Sequence, residues 1–70
     1  MRRFRIKVNM VQQGEVKKTD IIICDVMGKN LDNETILKRL TNNVKTWQSA
    51  YNKYEIVKYK FEIVNYEEVL

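Results

Sequence analysis

The sequence predicts an α+β domain in the chain order ββαβ, in which a three-stranded sheet carries one amphipathic helix on one face. Apolar and polar residues alternate along residues 3–11 and again along 54–66, which is the period of a half-buried strand. Residues 16–26 are rich in β-branched side chains, as strands are. Between these segments, apolar residues recur at steps of three and four over residues 33–51, which indicates a helix.

The first strand, residues 3–11, has two chemically different faces. The apolar face consists of Phe4, Ile6, Val8 and Met10. The opposite face is mainly basic and consists of Arg3, Arg5, Lys7 and Asn9. One face therefore predicts a core contact, and the other is free to face water or a partner.

The break around Gly14 between the first and second strands predicts a hairpin, with either a two-residue loop at Gln13–Gly14 or a four-residue loop. Both loops place Ile6 opposite Ile21 and Lys7 opposite Asp20. A three-residue loop would instead place the Asp20 carboxylate opposite Ile6 on the buried face, where an unpaired charge is unfavourable. The sequence therefore favours the first register, which turns the side chains of Ile22 and Val26 away from the helix.

Asp32 is the predicted N-cap of the helix, and Leu31 before it is placed to pack on Ile36 as a hydrophobic staple. Asn52 tolerates the left-handed conformation and is the predicted end. The apolar stripe of the helix comprises Ile36, Leu37, Leu40, Val44, Trp47 and Tyr51. This stripe predicts that Trp47 belongs to the core.

The third strand, residues 54–66, directs Val57, Tyr59, Phe61 and Ile63 to one side and Ile56, Lys58, Lys60, Glu62 and Val64 to the other. Residues 67–70 are expected to be a frayed tail or an extension of this strand. A right-handed return across the helix lays the third strand beside the first, giving an antiparallel sheet of order 2-1-3. The order 1-2-3, with the last two strands parallel, is the alternative.

The chain of 70 residues has room for one domain, 1–70, and so short a chain usually needs a disulfide, a metal or self-association for stability. It has one cysteine, Cys24, and no histidine, so an internal disulfide and a recognisable zinc site are excluded. Self-association into a homodimer remains. The unpaired thiol and the lack of a long apolar run indicate a cytoplasmic protein with no membrane partner.

Catalysis is not expected, because the chain lacks histidine, phosphate-binding glycine loops and nucleophile elbows. Cys24 lies in the apolar run Ile21–Cys24 and is expected to be a small packing residue. Asp20, Asp25 and Asp32 do not have the spacing of a metal-binding loop. We therefore expect no cofactor, no metal and no small-molecule substrate.

The first candidate binding site is a basic sheet face, to which the first and third strands contribute if the third strand lies beside the first. Its residues are Arg3, Arg5, Lys7, Lys58 and Lys60. Together with the net charge of +4, five cations on one open surface favour a phosphate backbone as ligand. The alternative is a solvated face whose charges discourage aggregation.

The second candidate site is an apolar patch on the same face, typical of a dimer or partner surface. Its residues are Ile22, Val26, Ile56 and Val64. The alternative is that Val69 and Leu70 fold over the patch.

These observations favour a small, non-enzymatic binding and regulatory protein that docks its exposed sheet face or an edge strand on a protein partner. The abundance of Lys, Asn and Ile, which have A/T-rich codons, suggests a bacterial phage or mobile-element accessory or inhibitor protein. The alternative function is a nucleic-acid-binding module that uses the basic sheet face.

Overall fold

The computed structural model describes residues 1–69 and confirms the predicted ββαβ order. The elements are β1 (Arg2–Gln12), β2 (Glu15–Val26), α1 (Asn33–Asn52) and β3 (Lys60–Val69). The sheet has the order β2-β1-β3, and β1 pairs antiparallel with both neighbours, which excludes the parallel alternative. The part of the prediction that concerns Leu70 lies outside the described residues.

The core lies between the inner face of the sheet and helix α1, which crosses the central strand and touches both β2 and β3. The buried residues are Phe4, Ile6, Val8, Met10, Ile22, Cys24, Val26, Ile36, Leu40 and Val44. All four residues of the predicted apolar face of β1 are among them. This central strand supplies the largest part of the core because only it has a neighbour on each side.

The hairpin turn has the predicted two-residue loop. Gln13 has φ +51° and Gly14 has φ +76°, and two positive φ values at the central positions are those of a type I′ turn. Such a turn matches the right-handed twist of the two strands that it joins. Gly14 occupies the second position without strain because it has no Cβ.

A β-bulge overturns the predicted register of the hairpin. Met10 pairs with Lys18 but Val11 pairs with Val16, so Lys17 is an extra residue in β2. Beyond the bulge every side chain of β2 is on the face opposite to the predicted one, because facing has a period of two. Ile6 pairs with Ile22, and the predicted pair of Lys7 with Asp20 is wrong because Lys7 pairs with Ile21.

The helix begins as predicted and ends differently. Asp32 is the N-cap and accepts a hydrogen bond of 2.7 Å from the Thr35 N–H, while Leu31 packs against the core. Asn52 does not adopt the predicted left-handed conformation. It remains helical, and the next residue, Lys53, is right-handed with φ −58°.

Strand β3 begins at Lys60, whereas the alternation predicted a start at residue 54. The side chain of Asn52 holds Tyr59 in the connection, accepting its N–H at 3.0 Å and donating to its carbonyl at 2.7 Å. The strand also contains a bulge, because Lys7 pairs with Asn65 and Val8 pairs with Ile63. Residues 67–69 belong to the strand and not to a frayed tail.

Candidate docking edge of the sheet

The outer face of the sheet, the face turned away from α1, carries much of the predicted basic row, but acidic residues pair with it. Arg3 donates two hydrogen bonds to Asp25, of 2.8 and 3.3 Å. Arg5 donates to Glu67 at 2.7 Å. These pairs cross from the central strand to both neighbours, so the positive charge of the row is largely compensated.

Of the other three predicted basic residues, Lys7 and Lys60 lie on the outer face and Lys58 does not. Lys7 lies on the outer face between Ile21 and Asn65. Lys60 lies near the opposite end of the sheet, with its ammonium 4.0 Å from Glu62. Lys58 lies outside β3 and donates to the main-chain carbonyl of Asn52 at the end of the helix, so its predicted place on the sheet face is wrong.

The predicted apolar patch is also not assembled. Ile22 and Val26 are buried beneath the helix, because the bulge at Lys17 turns them inwards. Ile56 is 98% exposed in the connection before β3, and Val64 is the extra residue of the β3 bulge. The patch was predicted from strict alternation, which both bulges interrupt.

The exposed apolar residues of β2 are instead Ile21 and Ile23, which are 48% and 49% exposed. They lie on the outer face beside Lys7 and Arg5 of the central strand. Because β2 is an edge strand, nothing among the described residues pairs with its far side. An apolar strand with a free edge is a template for the addition of another strand.

The main-chain groups that β2 turns to solvent can be assigned. The N–H of Ile21 donates to the Asp20 carboxylate at 2.8 Å and therefore points away from β1. Since alternate residues of an antiparallel strand point the same way, Thr19, Ile23 and Asp25 also present their N–H and carbonyl groups at this edge. Ile21 is the one member of this set whose N–H is covered by a side chain within residues 1–69.

The other edge of the sheet, β3, is protected by the helix. The N–H of Phe61 donates to the Gln48 side chain at 2.9 Å, and Asn52 holds both main-chain groups of Tyr59. The bulge at Val64 then interrupts the middle of the strand. Bulges and covered groups discourage strand addition. The bulge of β2 lies near the turn at Lys17 and leaves residues 18–26 in one regular register, so β2 offers the longer uninterrupted edge.

On the inner side, the edge of β2 is flanked by an apolar concavity of about 340 Å³ next to Trp47 and Tyr51. Trp47 is 51% exposed, so its predicted place in the core is wrong. The helix residues buried against the sheet are Ile36, Leu40 and Val44. Trp47, about one helical turn after Val44, lies beside residues 20–23 of the edge strand β2.

Further along the same edge, a second concavity of mixed polar and apolar lining lies between the helix and residues 24–27. Helix α1 contributes Arg39, Asn42, Asn43 and Thr46 to it. The Asn43 Oδ1 atom is buried without a hydrogen-bond partner among the described residues. The guanidinium of Arg39 donates to the Met27 carbonyl at 2.8 Å and has further donors.

The electrostatics of this region do not favour nucleophilic chemistry. Burial, and secondarily the charge of Asp25, raises the pKa of the Cys24 thiol, which keeps it protonated and unreactive. The hydrogen bonds from Arg3 lower the pKa of the Asp25 carboxyl. Within residues 1–69, no three histidine, cysteine or acidic side chains lie close enough together to hold a metal ion.

Sequence reasoning included docking by an edge strand but did not identify Ile21 and Ile23 as the exposed apolar residues of that edge. The run Ile21–Cys24 was a signal, because an edge strand that is apolar on both faces needs a cover on each side. The assignment of Ile21 and Ile23 to the outer face was not accessible, since it depends on one extra residue at Lys17.

No helix in the described part of the chain is both long enough and apolar enough to span a membrane. The chain matches no known family model, and neither a curated protein nor a solved structure shows significant similarity to it.

Proposed function

We propose that this protein is a small, non-enzymatic binding and regulatory protein that docks a protein partner by strand addition at the free edge of β2. The observation that carries the proposal is the contrast between the two edges of the sheet. A helix side chain occupies the Phe61 N–H at the start of β3, and a bulge interrupts the middle of that strand. The bulge of β2 lies near the turn, and the rest of that strand presents the half-exposed Ile21 and Ile23. Strand addition combines main-chain hydrogen bonds with contacts by alternate side chains, and β2 offers both.

The half-exposed indole of Trp47 supports the same surface. Tryptophan is enriched among residues that dominate binding energy, and Trp47 stands directly above the edge of β2. A strand added at this edge would be covered by Trp47 on the inner side and would meet Ile21 and Ile23 on the outer side. The accessory or inhibitor role suggested for a phage or mobile element is compatible with such a module, and the thiol of Cys24 fits a reducing cytoplasm.

A capture experiment tests the proposal. Wild type, Ile23→Lys and Val16→Lys serve as baits in a lysate of the source cell, and the captured protein is identified, purified and titrated against each bait by calorimetry. Val16 is a matched control because it is also an apolar residue of β2 and is 55% exposed. It lies between the bulge and the turn, outside the proposed docking edge. We expect binding to wild type and Val16→Lys, with little salt dependence, and loss of binding to Ile23→Lys. Equal binding to all three baits would refute the proposal.

The nucleic-acid alternative is tested with labelled oligonucleotides by fluorescence anisotropy at low and physiological salt. The ion pairs of Arg3 and Arg5 lead us to expect binding that is absent or is lost at the higher salt. Binding that persists at physiological salt, is removed by Arg5→Glu and is unaffected by Ile23→Lys would replace the protein-docking proposal with the alternative.

A further inference from the structure

We infer that the strand which adds to β2 is the β2 strand of a second copy of this chain, related by a two-fold axis at Ile22. This inference rests on the proposed docking role of the β2 edge and names its occupant. The result is a homodimer with a continuous six-stranded sheet and both helices on the same face.

The directions of the side chains and main-chain groups determine which registers are possible. Antiparallel pairing must place inner residues opposite inner residues, so the two residue numbers of a pair have an even sum. With the axis at Ile22, Ile21 of one copy lies opposite Ile23 of the second copy, and the reverse pair follows by symmetry. Four half-exposed isoleucine side chains then form one apolar cluster on the outer face.

Charge complementarity selects this register. It places Asp20 of the second copy opposite Cys24, on the inner face, where the concavity lined by Arg39 and Asn43 opens. Arg39 lines that concavity, so each copy supplies a carboxylate to the guanidinium of the other. Two residue pairs further along, Lys18 of the second copy lies opposite Val26 and enters the same region, where Asn43 Oδ1 lacks a donor.

The contact between Asp20 and Arg39 of the second copy also uncovers the edge of β2. In the single chain, the Asp20 carboxylate covers the N–H of Ile21. When Asp20 turns to Arg39 of the second copy, that N–H becomes available to the carbonyl of Ile23 of the second copy. Asp20 thus covers the edge in the monomer and forms an ion pair in the dimer.

The spacing of the two helices in the dimer explains why Trp47 is half-exposed in the single chain. Helix α1 crosses the central strand of each copy, and three strand spacings separate the two central strands, which is about 14 Å. Two helices in direct contact are about 8–10 Å apart, so a gap of several ångströms remains. The two Trp47 side chains, each 51% exposed in the single chain, stand on either side of this gap and fill it.

Sedimentation equilibrium over a range of concentrations up to about 1 mM tests the inference. We expect wild type to reach twice the 8.4 kDa mass of the chain. Asp20→Arg and Arg39→Asp should each raise the dissociation constant at least about tenfold, because each brings like charges together. The double variant Asp20→Arg/Arg39→Asp should restore dimerisation, which only direct contact between these residues explains.

Lys38→Asp is the matched control, since it makes the same change of charge on the neighbouring residue of the helix, which does not line the concavity. Circular dichroism of each variant separates loss of association from loss of folding. Hydrogen exchange adds an independent readout, because the amides of Thr19 and Ile23 should become protected only at concentrations that give the dimer.

A wild-type chain that is monomeric at about 1 mM overturns the inference. So does a dimer in which the double variant is not rescued or the edge amides stay unprotected. The proposed function fails separately, when Ile23→Lys leaves binding of a purified heterologous partner unchanged. A monomer whose partner binding is removed by Ile23→Lys would keep the docking edge and reject the second copy as its occupant.

Discussion

Truncation of Ile22 and of its neighbour Ile23 tests the bulged register of the hairpin. The two residues are adjacent and identical, yet Ile22 is 6% exposed and Ile23 is 49% exposed. The bulge at Lys17 is the cause of this difference, because an unbulged hairpin would place Ile23 inside and Ile22 outside.

The expected magnitudes follow from these exposures. Ile→Ala removes three carbon groups, and at about 0.8 kcal/mol for each buried group the transfer contribution at Ile22 is about 2.4 kcal/mol. A partly collapsed cavity adds about 1 kcal/mol, which gives about 3.5 kcal/mol for Ile22→Ala. At Ile23 about half of the transfer contribution applies and no cavity forms, so we expect about 1 kcal/mol.

Urea unfolding followed by circular dichroism measures both changes, at low protein concentration so that dissociation of a dimer does not contribute. In thermal unfolding, each 1 kcal/mol corresponds to about 4–8 °C for a domain of this size. Because a 70-residue domain is stable by only about 3.5–10 kcal/mol, Ile22→Ala is paired with the milder Ile22→Val. Ile22→Val should lower the free energy of unfolding by about 0.5–1.5 kcal/mol, and Ile23→Val by less.

The test compares the loss of stability caused by truncation of Ile22 with the loss caused by truncation of Ile23. If truncation of Ile23 destabilises the domain as much as truncation of Ile22, or more, the bulge is absent and the proposed docking edge loses its apolar residues.

Three further predictions concern the turn, the helix and the ion pairs. Gly14→Ala should destabilise the domain by about 1–2 kcal/mol in urea unfolding. The cause is the positive φ of residue 14, because an added Cβ meets nothing within 4 Å. An unchanged free energy of unfolding would exclude the type I′ turn. Trp47→Ala should lower the free energy of unfolding by about 2 kcal/mol, roughly half the value for a buried tryptophan. A loss of about 4 kcal/mol or more would show that Trp47 is buried in the core. Because Arg3 lowers the pKa of Asp25 below its unfolded value of about 3.9, the ion pair stabilises the fold above about pH 4 and is lost as the pH falls through the folded pKa. Asp25→Asn should therefore be less stable than wild type at pH 7 and should approach it at low pH, whereas a constant difference would contradict this pairing.

Local sequence signals correctly predicted the ββαβ order, the helix with its Asp32 cap, a hairpin turn around Gly14 and the inner face of β1. These features depend on local periodicity, capping and turn chemistry, which are written in neighbouring residues. It also indicated that one strand, with its apolar run Ile21–Cys24, needed a cover on both faces.

Which side chains reach the candidate site depends on contacts between segments that are distant in sequence. The bulge at Lys17 depends on how β2 fits against β1, and one extra residue reverses the facing of Ile22 and Ile23. The protection of the β3 edge depends on Gln48, a helix residue far from that strand in sequence. The exposure of Trp47 depends on how the helix packs on the sheet. Such features arise from contacts between distant segments, and the hydrophobic period of a single segment does not predict them.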